Sequence, residues 1–122
     1  MKKILIAEDD KFLANAYQMK ISKFGYEVVI VSDGDEFMKQ LDSTKPDLII
    51  LDLVMPAKDG YSVLQDLKKN PKWKAIPVIV ATNLDQKEDV QRCQTLGVSD
   101  YIMKNKLSFE RLHDKIKSIL HE

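Results

Sequence analysis

Six residues of this chain have types that could act together, and each stands just behind a short apolar run. Glu8, Asp9 and Asp10 follow Ile4 to Ala7, Asp52 follows Leu48 to Leu51, Thr82 follows Val78 to Ala81, and Lys104 follows Tyr101 to Met103. Gathered in one place, the carboxylates would repel one another, and a divalent cation is the direct remedy. Mg²⁺ takes hard oxygen ligands, uses one or two carboxylates, and fills its other positions with water or phosphate oxygens. A carboxylate can also attack phosphorus and form an aspartyl phosphate. Because the transferring phosphoryl group carries negative charge on its oxygens, cations and donors aimed at them supply most of the catalysis. Thr82 offers a hydroxyl for that purpose and Lys104 an ammonium.

Each residue read alone has a plainer meaning. The acidic triplet could simply begin a helix, since acids suit a helix N-terminus, and Asp10 is expected to be an N-cap. A lone threonine at Thr82 is more often structural, and a lone lysine at Lys104 more often a surface charge. Asp52 is harder to set aside, because an acid closing an apolar run needs a partner. The weight rests on the joint placement at the ends of four runs, which only the surrounding elements can explain.

Those elements alternate. Ile4 to Ala7, Glu27 to Val31, Leu48 to Leu51, Val78 to Ala81 and Tyr101 to Met103 are short and rich in Ile, Val and Leu. They lack an apolar–polar alternation and so read as strands buried on both faces. Between them, apolar residues recur at helical spacing. Leu13, Ala16, Tyr17, Ile21 and Phe24 form one helix, with Gly25 as its stop. Phe37, Met38 and Leu41 form a second, closed by Pro46; Val63, Leu64 and Leu67 a third, closed before Pro71. Val90, Cys93 and Leu96, then Gly97, mark a fourth, and Phe109, Leu112, Ile116, Ile119 and Leu120 a fifth. Strand–helix alternation of this kind calls for a doubly wound α/β fold: a five-stranded parallel sheet with right-handed crossovers and helices on both faces. Ligands of such sheets bind outside the carboxyl ends of the strands, where the six residues stand.

Bulk properties agree. The 122 residues suit one domain, 1–122. Apolar residues make up 44% and charged residues 31%, a globular balance. Nineteen basic side chains offset nineteen acidic ones, which gives no electrostatic footprint for nucleic acid or an anionic membrane. The single Cys93 cannot form an internal disulfide. The apolar run after Met1-Lys2-Lys3 stops at Glu8, too early for a signal peptide, and no run approaches a bilayer span. A cytoplasmic location is the expectation.

The chain resembles the receiver domains of two-component response regulators over essentially its whole length. The resemblance is carried by Ile4-Leu5-Ile6-Ala7-Glu8-Asp9-Asp10, by Asp52-Leu53-Val54-Met55-Pro56 with Asp59-Gly60, by Val80-Ala81-Thr82 and by Tyr101-Ile102-Met103-Lys104. It implies a flavodoxin-like sheet of order 2-1-3-4-5, with Asp52 as phosphoacceptor. It further implies Mg²⁺ held by Glu8, Asp9, Asp52 and the main-chain carbonyl of Val54. Thr82 then binds a phosphoryl oxygen, Tyr101 changes rotamer with Thr82, and Lys104 pairs with the phosphoryl group. The implied donor is a sensor histidine kinase or a histidine phosphotransfer protein. A downstream target protein would be met through the fourth helix, fifth strand and fifth helix. One residue departs from the pattern: the family usually has proline after this lysine, and here it is Asn105. Because a cis bond before a non-proline residue costs about 2.5–4 kcal/mol, a trans Lys104–Asn105 bond is expected, with Ser108 capping the fifth helix. Val54 and Asn83 would flank the phosphoryl group. Val54 offers no hydrogen bond to an attacking water, so slow autodephosphorylation is expected.

Three other readings compete. A haloacid-dehalogenase-like phosphatase needs a second aspartate where this chain has Val54. A flavin carrier of the same winding needs a Ser/Thr/Gly-rich phosphate loop where this chain is acidic. A pseudo-receiver that only binds partners would lack Asp52, Asp9 or Lys104, and all are present. The start at Met1 and the finish at Glu122 suit a stand-alone protein, the alternative being a piece cut from a larger regulator or hybrid kinase. Outside the site, Cys93 is expected to pack as a small hydrophobe, Trp73 to anchor its loop, and His113 and His121 to face solvent.

Overall fold

A computed structural model describes residues 1–122. Five strands, β1 (Lys3–Ala7), β2 (Glu27–Val31), β3 (Leu48–Leu51), β4 (Val78–Thr82) and β5 (Asp100–Met103), alternate with five helices. The helices are α1 (Lys11–Lys23), α2 (Gly34–Thr44), α3 (Gly60–Lys69), α4 (Lys87–Thr95) and α5 (Phe109–Ile119). All strand pairs are parallel and the order is β2-β1-β3-β4-β5. The fold class and strand order expected from the sequence are therefore observed.

Alternate residues of each central strand face opposite sides of the sheet, and each side has its own core. Leu5, Ala7, Ile49, Leu51, Val78 and Val80 pack with Phe37, Leu41, Val63, Leu64, Leu67 and Cys93 from α2, α3 and α4. Ile4, Ile6, Leu48, Ile50, Ile79 and Ala81 pack with Tyr17, Ile21, Leu112 and Ile116 from α1 and α5. Burying each such side chain contributes roughly 1.5–3 kcal/mol. Only the three central strands are buried on both faces: β2 and β5 stand at the sheet edges and are half-buried over most of their length. The continuous apolar runs therefore overstated the burial of the edges, because a run records side-chain type and not position in the sheet.

The ends of the helices are set by local hydrogen bonds. Asp10 Oδ1 accepts the N–H groups of Phe12 and Leu13 at 2.9 and 3.2 Å, and Asp33, Asp59 and Ser108 cap α2, α3 and α5 in the same way. Gly25 takes a φ of +97° after α1, the left-handed stop that glycine adopts without cost. α4 is the exception. Its N-cap, Gln86, makes no side-chain capping bond, and Cys93 is its only buried residue. Trp73 is half-buried against the α2–α4 core. His121 is exposed, but His113 is not the solvent-facing residue that the helical spacing suggested. Its ring stacks on Phe24 with centroids 4.0 Å apart and meets Tyr26 edge-on, because α5 packs beside the α1–β2 corner.

Candidate functional site

Parallel pairing brings the carboxyl ends of the central strands to one edge. Ala7 pairs with Leu51, Leu51 with Val80, and Thr82 with Met103. The next residue along each chain segment therefore emerges beside its neighbours. The Glu8 N–H donates to Val31 O at 3.0 Å and the Asp52 N–H to Ala7 O at 3.3 Å, extending the ladder into the site. A cavity of about 380 Å³ opens there, lined by Asp9, Asp10, Asp52, Val54, Thr82, Asn83, Leu84 and Lys104. The largest hollow of the molecule, about 670 Å³, lies at the opposite edge among residues such as Phe24, Tyr26 and Asp47. It too holds carboxylates (Asp47, Glu122), a hydroxyl (Tyr26) and lysines (Lys2, Lys117), but none of the strand-end residues singled out in the sequence lines it.

The groups are held as follows. Lys104 Nζ lies 2.8 Å from Asp52 Oδ2 and 3.0 Å from the Glu8 carboxylate, bridging the two acids. The Asp10 N–H donates to Glu8 Oε2 at 3.0 Å, and the Val54 N–H to Asp52 Oδ1 at 3.2 Å. Glu8, Asp52 and Thr82 are buried, whereas Asp9 is exposed at the rim. Burial pushes the Glu8 carboxyl above the ordinary carboxylate range, against the Asp10 N–H and the Lys104 charge that favour its anion. For Lys104, burial pulls the other way, but its bonds and attraction to Asp52 and Glu8 outweigh it, and the ammonium titrates above its usual value. Ligand oxygens of Glu8, Asp9 and Asp52 lie within 4.8 Å of one another. An all-oxygen acidic set of this kind fits a hard divalent cation.

Thr82 and Leu84 line the site, and Tyr101 stands behind Leu84. The Leu84 N–H donates to Thr82 Oγ1 at 3.4 Å, and the Tyr101 hydroxyl donates to Leu84 O at 2.6 Å. Val54 is 58% exposed at the cavity mouth. The Lys104–Asn105 bond is trans, as expected, and Lys104 opens a 3₁₀ turn, Lys104–Lys106.

Glu8, Asp9, Asp10, Asp52, Val54, Thr82 and Lys104 thus lie at one strand-end cluster, and Tyr101 reaches its edge only through the bond to Leu84. Three contacts were not foreseen. The Lys104 bridge to Glu8 involves two side chains 96 positions apart, a separation that no local pattern reports. The Asn105 N–H donates to Asn83 Oδ1 at 3.1 Å; the absence of proline at 105 was the signal that a donor was free. Gly60 packs against the backbone of Asp52, and a Cβ there would meet Asp52 O at 2.3 Å, which explains why glycine follows Asp59.

Residues 4–117 match the family model for the response regulator receiver domain. Among curated relatives, response regulator Rcp1 of Synechocystis is 38% identical over 114 residues, covering 86% of this chain and 78% of the relative. The alkaline phosphatase synthesis transcriptional regulatory protein PhoP of Bacillus subtilis is 33% identical over 119 residues, covering 98% of this chain and 48% of the relative. The chain spans about half the length of most curated relatives it matches. Among solved structures, the receiver domain of a histidine kinase from Syntrophus aciditrophicus superposes with a TM-score of 0.90 at 36% identity, covering 99% of this chain and 91% of that one. Mn²⁺-bound Rcp1 superposes at 0.82 with 33% identity and coverages of 98% and 91%. The phosphorylated cyanobacterial phytochrome regulator RcpA superposes at 0.81 with 35% identity and coverages of 97% and 90%. With the strand order, the acidic strand ends and a family match over nearly all of its length, the chain belongs to the receiver domains of response regulators, the switch modules of two-component signalling.

Proposed function

We propose that Asp52 accepts a phosphoryl group in a Mg²⁺-dependent reaction and that the phosphorylated chain changes its affinity for a target protein. The observation that carries this reading is the buried Asp52 carboxylate, with one oxygen on Lys104 at 2.8 Å and the other on the Val54 N–H at 3.2 Å, opening onto a polar cavity. Glu8, Asp9, Asp52 and the main-chain carbonyl of Val54 would hold the ion. When bound, Mg²⁺ supplies positive charge against the carboxylates and the phosphoryl oxygens. An Asp52 oxygen attacks phosphorus, and the bond from phosphorus to the donor's imidazole nitrogen breaks. Its electron pair leaves with the imidazole, which ends as the neutral ring because the donor's other ring nitrogen enters the step carrying a proton. Lys104 and the Thr82 hydroxyl each donate to a phosphoryl oxygen, and Thr82 carries its Leu84 contact with it. Tyr101, bonded to the carbonyl of that same Leu84, turns with it and alters the surface formed by α4, β5 and α5.

Two relatives support this: one solved structure is of a phosphorylated regulator and another of a Mn²⁺-bound one. The donor is a sensor histidine kinase or a histidine phosphotransfer protein, and the recipient of the signal a downstream target protein. Residues 1–122 act as one domain, with two cores sharing a single sheet. The balanced charge argues against contact of this chain with nucleic acid or an anionic membrane. No helix is long and apolar enough to cross a membrane, and the setting is cytoplasmic. The chain catalyses its own phosphorylation and slow dephosphorylation and turns over no other substrate.

With Mg²⁺ and acetyl phosphate, the chain should gain one hydroxylamine-labile phosphoryl group, seen as a single mass increment. Asp52→Asn should lose it and keep its circular dichroism. Equal labelling of the variant would overturn the assignment.

A further inference from the structure

The backbone just after Lys104 is tied to a neighbouring loop by a single side chain. β5 runs directly into the 3₁₀ turn Lys104–Lys106, and the first N–H groups of such a turn have no partner within it. The Asn105 N–H finds one across the sheet edge in Asn83 Oδ1, at 3.1 Å. The β4–β5 register makes the meeting possible: Thr82 pairs with Met103, so the two chain segments leave the sheet side by side. A proline at 105 would have no N–H to give. Here the restraint is a hydrogen bond.

We propose that Asn83 is a positioning residue for Lys104: its amide oxygen, by accepting the Asn105 N–H, holds the turn that aims the ammonium at Asp52. The proposal rests on the role given above to Lys104 at a phosphorylated Asp52. Lysine has a long, flexible stem. Before phosphorylation its tip is fixed by two carboxylates, 2.8 and 3.0 Å away. During phosphoryl transfer the tip must exchange one of those contacts for a phosphoryl oxygen, and at that moment only the backbone limits where the ammonium can go. The Asn83–Asn105 bond is untouched by the exchange, since neither of its atoms belongs to the groups assigned to the phosphoryl oxygens. Its two ends also lie one residue beyond Thr82 and one residue beyond Lys104. The bond therefore makes the hydroxyl and the ammonium the two jaws of one clamp.

The test uses the full chain and has two arms. Without a phosphodonor, the Asn105 amide should exchange with solvent about tenfold faster in Asn83→Ala than in the native protein, and the Lys104 Nζ resonance should broaden or shift. With acetyl phosphate and saturating Mg²⁺, Asn83→Ala and Asn105→Pro should each slow phosphorylation about three- to tenfold, the worth of one hydrogen bond. The double variant should be no slower than the slower single, because both remove the same contact. Asn105→Ala keeps the backbone donor and should stay within about twofold of native on the same grounds. Mg²⁺ affinity should not change in Asn83→Ala, whose carboxylates are intact. Unaltered Asn105 exchange and an unmoved Lys104 resonance in Asn83→Ala would overturn the proposal, as would additive losses or an Asn105→Ala as slow as Asn105→Pro. Should Asn105→Pro fail to fold, Asn83→Ala and the exchange arm decide. Should the native chain accept no phosphoryl group, the role of Asp52 falls, while the exchange and Lys104 signals still decide whether Asn83 positions the lysine.

Discussion

Tyr17 is the largest wholly buried side chain of the α1–α5 core. Its ring meets Phe109 edge-on at 5.8 Å, and its hydroxyl has no hydrogen-bond partner. Burial drives its ionisation far above the ordinary phenol range, with the charges of Glu8 and Asp52 adding to the effect. An unpaired buried hydroxyl costs about 1–3 kcal/mol. Tyr17→Phe keeps the ring and removes the orphan, so urea unfolding should report a gain of about 1 kcal/mol; a loss would mean that the hydroxyl is bonded in solution. The sequence announced Tyr17 only as one apolar position on a helix face, since nothing local reports what an oxygen will meet. Asp52, Thr82 and Lys104 were legible for the opposite reason. Each ends an apolar run, and in a parallel sheet run ends converge. Val54 belongs with them: 58% exposed at the cavity mouth, it has no group to orient a water for attack on an aspartyl phosphate. Val54→Asn adds such a group. Loss of phosphorylated protein, followed by mass after removal of the donor, should be several-fold faster, about the worth of one hydrogen bond.

Among the elements, α4 is the one held least by the core. It buries Cys93 alone and lacks a side-chain cap. What restrains it comes from α3: the Tyr61 hydroxyl donates to Asp89 Oδ1 at 2.6 Å, and the Arg92 guanidinium lies 3.8 Å over the Tyr61 ring. Tyr61→Phe deletes the hydroxyl and keeps the ring. A half-exposed bond of this kind is worth about 0.5–1.5 kcal/mol. Amide exchange of α4 should therefore quicken several-fold, while that of α1 and α5 stays as it was; uniform quickening across all helices would point to global destabilisation instead. Helical spacing placed α4 correctly through Val90, Cys93 and Leu96, but spacing cannot say how firmly a helix is docked. The edge strands teach the same lesson. β2 has one buried residue of five and β5 none of four, where every residue of β3 and β4 is buried, because pairing order is a property of the whole chain.

At the scale of the molecule, strand–helix alternation was enough to give a parallel sheet with helices on both faces, but not its order, which only family resemblance supplied. One property is shared by all parts of the fold. Each of the four tyrosines ionises above its ordinary value near 10, with burial the leading cause, and Tyr101 is pushed up to about 12. The fold favours the neutral phenol, so the stability this contributes is complete below pH 10; the Tyr101 share is lost as pH rises through about 12, and the shares of the other three at still higher pH. Absorbance at the phenolate band should therefore stay flat past the ordinary phenol range and then rise together with loss of circular dichroism. Early growth of the band in the intact fold would contradict that burial. The sheet that divides the two cores has a further effect. Side chains behind Ile4 and Ile6 share no neighbour with those behind Leu5 and Ala7 except through the strands themselves, and substitutions without common partners have nearly additive costs. A lineage can therefore repack the α4 side or the α1–α5 side independently, without re-evolving the packing of the other.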